Sequence, residues 1–345
     1  MARSEATRAA VSHLISEGGG RSFGSRWAQT HLRRRLGHHA RLSDIQSALR
    51  EFDPIGVAQR NPSLRHPPLA RQENYITAGP DEIWSCDGHD KLARFGFQIY
   101  GAVDAYSRKL IWIYCGNANR SSISVLQQYI QAVKTYGICP RFLRADKGGE
   151  TVLMAAFHYN LFLEAVAVQG MVEADAMDLA KPECCFIWGS SPRNVRIERT
   201  WYQIRQEVTR RWGDLFTLIE KRSLYRSWCA ADCVVMQFVF MPLLREELNQ
   251  FALDKNEHPI RRQTNRSYHV PGIPNKLYEE GQHHGVPVHL QTVQEWESKI
   301  ARFDFDSYLT PESTTWCEQA MTSLGRSTRA AAAEFFLPGG GEVVP

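Results

Sequence analysis

From residue 81 onward the apolar pattern comes in an order that leaves few folds open. "EIWSCDGHDKL" reads as a short strand with Asp87 near its end. "FQIYGAVDAYSR" and "KLIWIYCG" are two more strands joined by a tight Tyr-Ser-Arg turn, so the three form a meander. In "NRSSISVLQQYIQAVKTYG" the apolar Ile123, Leu126, Ile130 and Val133 step by three, four and three, the spacing of an amphipathic helix. "RFLRADKGGE" then supplies a fourth strand ending at Asp146, which a crossover helix lays parallel to the first. A second helix, "ETVLMAAFHYNLFLEAV", leads to a fifth strand, "ECCFIWGSS". A long helix follows in "SPRNVRIERTWYQIRQEVTRRW", its stripe running Ile197, Trp201, Ile204, Val208 and Trp212. The expectation is an α/β fold with a mixed five-stranded sheet, in which Asp87 and Asp146 end adjacent parallel strands.

A carboxylate at the tip of a half-buried strand is costly unless something pairs with it. In isolation Asp146 has three uses: an Asx turn before Gly148 and Gly149, a partner for a lysine, or a metal ligand. Asp104, in "VDAYSR", is expected to cap the hairpin turn, and His89 to be a satisfied surface histidine. Glu150 is expected to favour the N-terminus of its own helix.

Charge separates the N-terminal segment from the rest. Residues 1–75 hold twelve arginines, no lysine and six acids, so the remaining 270 residues sum to −2 out of a total of +4. Clustered arginine is the electrostatic footprint of phosphate binding. The segment reads as three short helices. The first carries Val11, Leu14 and Ile15; the second Trp27, Leu32 and Leu36, ending at Gly37; the third Ile45, Leu49 and Phe52, ending before Pro54. Two readings stand: a helix-turn-helix-like DNA-binding arm with Arg33, Arg34 and Arg35 on the nucleic acid, or a plain bundle with a solvated basic face.

The expected boundaries are a helical arm at 1–56, a linker at 57–80 and a core at 81–258. A C-terminal extension at 259–324 and a disordered tail at 325–345 follow. The strongly apolar "DCVVMQFVFMPLLREELNQFALDKNEHPI" is expected to be a helix bent or broken near Pro242. The eight cysteines show no two-residue gap of a zinc knuckle, and there is neither a signal-peptide pattern nor an apolar run near 20 residues. Reduced thiols in a soluble intracellular protein are the simplest expectation.

Four pieces, "WSCDGHDKL", "GAVDAYSRKLIWI", "RADKGGE" and "SPRNVRIERTW", resemble in order the catalytic core of retroviral integrases and DDE transposases. The resemblance is greatest to the integrase-core proteins of eukaryotic genomes, domesticated or transposon-derived, and "NEHPIRRQTNR" is similar to their post-core segment. It implies a ribonuclease-H-like fold and metal-dependent DNA end processing and strand transfer with Mg²⁺ or Mn²⁺, two ions being expected. It further implies a homo-oligomer in the nucleus, with DNA as partner and no membrane. By position it implies Asp87, Asp146 and Glu198 as catalytic metal ligands. Such chemistry needs carboxylates that bind hard cations while leaving positions open for water and phosphate oxygens. The spacing from Asp146 to Glu198 exceeds that of compact retroviral integrases, implying an insertion near 165–183.

Lys147 can contact substrate phosphate or be an exposed turn lysine. Arg193, Arg196 and Arg199 flank Glu198 and can hold DNA backbone or form a solvated charged face. Two other functions share these residues: a domesticated DNA-binding protein that keeps the fold without catalysis, and a metal nuclease that cuts without joining.

Overall fold

The structure, a computed structural model, describes residues 2–16, 24–59, 77–168, 182–189, 194–262, 270–301, 304, 306–323 and 325. Most of the expected linker, insertion and tail lies outside the described residues, as does Arg193.

Helices α1 (Ala2–Ser16), α2 (Ser25–Leu36), α3 (Leu42–Phe52) and the short α4 (Pro54–Gln59) make up the N-terminal region. Val11, Leu14, Ala28, Leu32, Ile45, Ala48 and Leu49 form its core. The expected stripes run one residue too far: Leu36 is 60% exposed and Phe52 is also exposed. Leu36 is the last residue of α2, where the chain turns away at left-handed Gly37. Phe52 instead lies under the Arg8 guanidinium.

The sheet follows from the strand order read in the sequence. Strands β1 (Ile83–His89), β2 (Gln98–Asp104) and β3 (Leu110–Gly116) form the antiparallel meander. Helix α5 (Ser122–Tyr136) and the two-residue β4 (Ile138–Cys139) lead to β5 (Phe142–Asp146), which pairs parallel to β1. Helix α6 (Val152–Val168) leads towards β6 (Phe186–Gly189), parallel to β5, and the order across the sheet is β3-β2-β1-β5-β6. Asp104 closes the meander as expected: its Oδ2 accepts from Ser107 N–H (2.7 Å) and O–H (2.6 Å), and its Oδ1 from Asp81 N–H (2.8 Å). Burial pushes the Asp104 carboxyl up to about 6 against these bonds.

Strand alternation gives the sheet two apolar faces. One, with Trp84, Cys86, Tyr100, Leu143 and Ala145, packs on α5 and α6. The other, with Ile99, Val103 and Leu110, is covered by the helices after β6. These are α7 (Val195–Ile204), a π turn at Arg205–Thr209, α8 (Arg210–Lys221) and α9 (Ala230–Glu257). The long helix expected here is thus divided by a π turn, though Ile197, Trp201, Ile204 and Val208 are all buried. Helix α9 runs through Pro242 unbroken; the buried Val239, Phe240, Met241 and Leu244 around the proline hold it on the core.

The C-terminal segment belongs to this core. Helix α10 (Pro274–Glu279) brings the Tyr278 hydroxyl to Asp81 Oδ1 (2.7 Å), which also accepts from Trp84 Nε1–H (2.8 Å). Strand β7 (Val286–Pro287) pairs with β4, and α11 (Leu290–Ile300) adds Val293 and Ile300 to the α5/α6 face. Helix α12 (Pro311–Ser323) buries Cys317 among the residues of the opposite face.

On α6, His158 is fully buried between Tyr129 O–H at its Nδ1 (2.7 Å) and the Cys185 carbonyl at its Nε2 (3.2 Å). Only the neutral ring with the proton on Nε2 satisfies both bonds with the hydroxyl donating. Burial depresses its pKa to about 3, from 6.5. Below pH 6.5 the unfolded chain therefore binds a proton that the folded one refuses, and stability is lost as pH falls from 6.5 towards 3. Measured by urea unfolding, the wild type should lose stability over that window faster than His158→Gln, by at most about 1.4 kcal/mol per pH unit.

Candidate active site

The parallel pairing sets Ile83 beside Phe142, Trp84 beside Leu143 and Ser85 beside Arg144. Continuing that register by two residues brings Asp87 level with Asp146. Both are on the sheet face opposite Trp84, Cys86, Leu143 and Ala145, where α7 lies. Glu198 is in the first turn of α7. Asn194, just before that helix, donates from Nδ2 to the Cys86 carbonyl (3.0 Å), and Glu198 N–H donates to the Asn194 carbonyl (3.2 Å). The helix start is thereby tied to the strand one residue before Asp87.

The electrostatics show the acids as neighbours. The Asp87 carboxyl is pushed up to about 7, first by burial and then by the charges of Asp146 and Glu198; bonds from the Gly88 N–H and Trp201 oppose the rise. Asp146 is also raised, by desolvation, then Glu198 and Glu150, with Arg144 opposing. Asp146 Oδ1 is buried without a hydrogen-bond partner. A cluster of like charges with an orphaned carboxylate oxygen suits a hard divalent cation, which takes oxygen ligands and offsets the repulsion. The donor chemistry fits. Yet among the described residues no three His, Cys, Asp or Glu side chains stand close enough to hold an ion as they are.

Three residues around the acids take places the sequence reading did not give them. His89, expected at the surface, is buried; its ring stacks on Trp201 (centroids 5.3 Å apart, planes at 24°). Trp201, read only as part of the apolar stripe, donates from Nε1 to Asp87 Oδ2 (3.0 Å). Glu150 precedes α6 as expected, but its charge also reaches Asp146. A glycine in a strand interior was the signal available for the close approach: Gly101 pairs with Asp87, and Trp201 lies over it.

The basic residues divide. Lys147 and Arg199 are exposed, and Arg199 lies over the Tyr202 ring (5.1 Å). Arg196 is partly buried and its charge opposes that of Arg108. Arg34 and Arg35, though exposed, also have partners on the core. Arg34 Nε lies 3.1 Å from Asp254 Oδ1 on α9, and its Nη1 donates to the Leu253 carbonyl (3.3 Å); Arg35 Nε is 3.9 Å from Asp254 Oδ2. Asp254 is buried and also faces His31 (3.3 Å), so these arginines compensate a buried carboxylate and hold α2 on the core. Arg33 is exposed, on a surface shared with His38, His39 and Arg41.

A five-stranded mixed sheet flanked by helices, with acids from β1, β5 and the following helix grouped on one face, defines the ribonuclease-H-like class. Residues 74–286 match the integrase core domain, and the chain belongs to that family, one of integrase- and transposase-like polynucleotidyl transferases. A comparison with curated proteins finds no match. No helix among the described residues is long and apolar enough to cross a membrane.

A Cβ on Gly101 would sit 2.7 Å from the Trp112 carbonyl oxygen and 3.4 Å from the Trp201 ring. Gly101→Ala should therefore destabilise the protein by roughly 1–3 kcal/mol through overpacking, read as a lower urea midpoint.

Proposed function

We propose that the protein is a DDE-type polynucleotidyl transferase that processes DNA ends and joins them to a target strand, with Mg²⁺ or Mn²⁺ held by Asp87, Asp146 and Glu198. The observation that carries this reading is the β1–β5 register, which brings Asp87 level with Asp146 beneath the helix bearing Glu198. When bound, two such ions supply Lewis acidity to the attacking water or 3′-hydroxyl and to the leaving oxygen. The chain's own part is to present the three carboxylates from rigid elements and to keep an open face for the phosphodiester. Lys147, which follows Asp146, and Arg193, Arg196 and Arg199, which flank Glu198 in sequence, are the residues proposed to take the DNA backbone. On the arm, Arg33 is the arginine proposed for phosphate. Assembly as a homo-oligomer and action in the nucleus go with this reading.

A second reading is favoured by one observation, that among the described residues no three His, Cys, Asp or Glu side chains stand close enough to hold an ion as they are. In it the protein is a DNA-binding relative that has lost catalysis. Amide substitutions separate the two. Asp87→Asn, Asp146→Asn or Glu198→Gln should each abolish strand transfer on a duplex end while leaving the circular dichroism spectrum unchanged. Combining them should add little, since one missing ligand already disassembles the site. DNA binding that ignores metal and all three substitutions, with no transfer by the wild type, would favour the second reading.

The basic residues make a separate prediction. Neutralising a phosphate contact lowers the slope of log affinity against log salt by about 1. Arg199→Gln should do so. Arg34→Gln should leave the slope alone and lower stability instead, because its partner is Asp254. Fluorescence anisotropy with a labelled duplex at several salt concentrations reads the first effect, and urea unfolding the second.

A further inference from the structure

Trp201 lies three residues past Glu198 and is 4% exposed. A stripe position that only fills the core is served by leucine or phenylalanine. What tryptophan adds is an indole N–H, which needs an acceptor when buried. Here the acceptor is a carboxylate, Asp87 Oδ2 at 3.0 Å, and charge strengthens the bond.

The ring itself is fixed from two sides. Gly101, the β2 partner of Asp87, leaves room that a Cβ would invade, 3.4 Å from the indole. His89, two residues beyond Asp87 on the same strand face, stacks on the indole at 5.3 Å and 24°. His89 Nε2 is in turn 3.1 Å from Thr209 Oγ1, in the π turn that follows α7. A hydroxyl, an imidazole, an indole and a carboxylate thus form one chain from the π turn to the acid site.

We propose that Trp201 is a positioning residue: its indole N–H fixes the orientation of the Asp87 carboxylate, while Gly101 and His89 fix the plane of the indole. The inference rests on the reading of Asp87 as a metal ligand. In metal sites, outer partners that orient a ligand typically change affinity 10- to 100-fold when lost.

Trp201→Phe keeps an aromatic ring against Gly101 and His89 and removes the donor. It should fold, with a urea midpoint near that of the wild type, and bind Mg²⁺ roughly 10-fold more weakly by calorimetry. A merely structural tryptophan would move the midpoint and spare the Mg²⁺ affinity. A second measurement needs neither that variant's stability nor any metal. In the ¹H–¹⁵N spectrum of the full chain, the Trp201 indole resonance should shift when Asp87→Ala removes its acceptor. An unmoved resonance, or a folded Trp201→Phe protein that binds Mg²⁺ as tightly as the wild type, overturns the proposal. A resonance that responds to Asp87→Ala in a protein that binds no Mg²⁺ supports the Trp201–Asp87 bond and counts against the metal reading of Asp87 instead.

Discussion

The parallel pairing of β1 with β5 is the constraint on which the acid site depends. Side chains alternate between faces along a strand, so a slip of one residue in either strand would send Asp87 or Asp146 to the α5/α6 face. That face is filled by Trp84, Tyr100, Leu143 and Ala145, and it would have to take a carboxylate while the other face received the displaced apolar side chains. The register is thus specified by hydrophobic burial, and the grouping of the acids is its by-product. Repulsion among the acids is the cost, visible in the raised Asp87 and Asp146. The two apolar faces together hold the arrangement against it.

The second organising feature is the way later segments return to the sheet. Asn194 fastens the start of α7 to the Cys86 carbonyl, and Asp81, just before β1, collects Trp84, Tyr278 and His283. The strand is therefore gripped at its middle, and the turn before it held, by residues more than a hundred positions away in sequence. Helix α9 does the same for the arm, through a single buried carboxylate, Asp254, facing His31, Arg34 and Arg35. An unpaired charge in that position would be strongly destabilising, so the arginines have a structural task.

The five strands, their order and the helices between them were legible because each carries its own period: two for the strands, between three and four for the helices. Asp104 was legible too, since capping a tight turn is local chemistry. Other residues were misread for one shared reason. The exposure of His89 and Leu36 is set by elements distant in the chain, and no window of sequence reports which neighbour will cover a side chain.

The sequence by itself determined the alternation of strands and helices, and hence that two acids would end adjacent parallel strands. Hydrophobic periodicity and the handedness of crossover connections suffice for that. Only the tertiary structure decided which side chains surround those acids. It set the indole of Trp201 on Asp87, the imidazole of His89 on the indole, and two arginines of the arm on Asp254. These contacts arise where separate elements pack, and their geometry exists only once the sheet and its covering helices have come together.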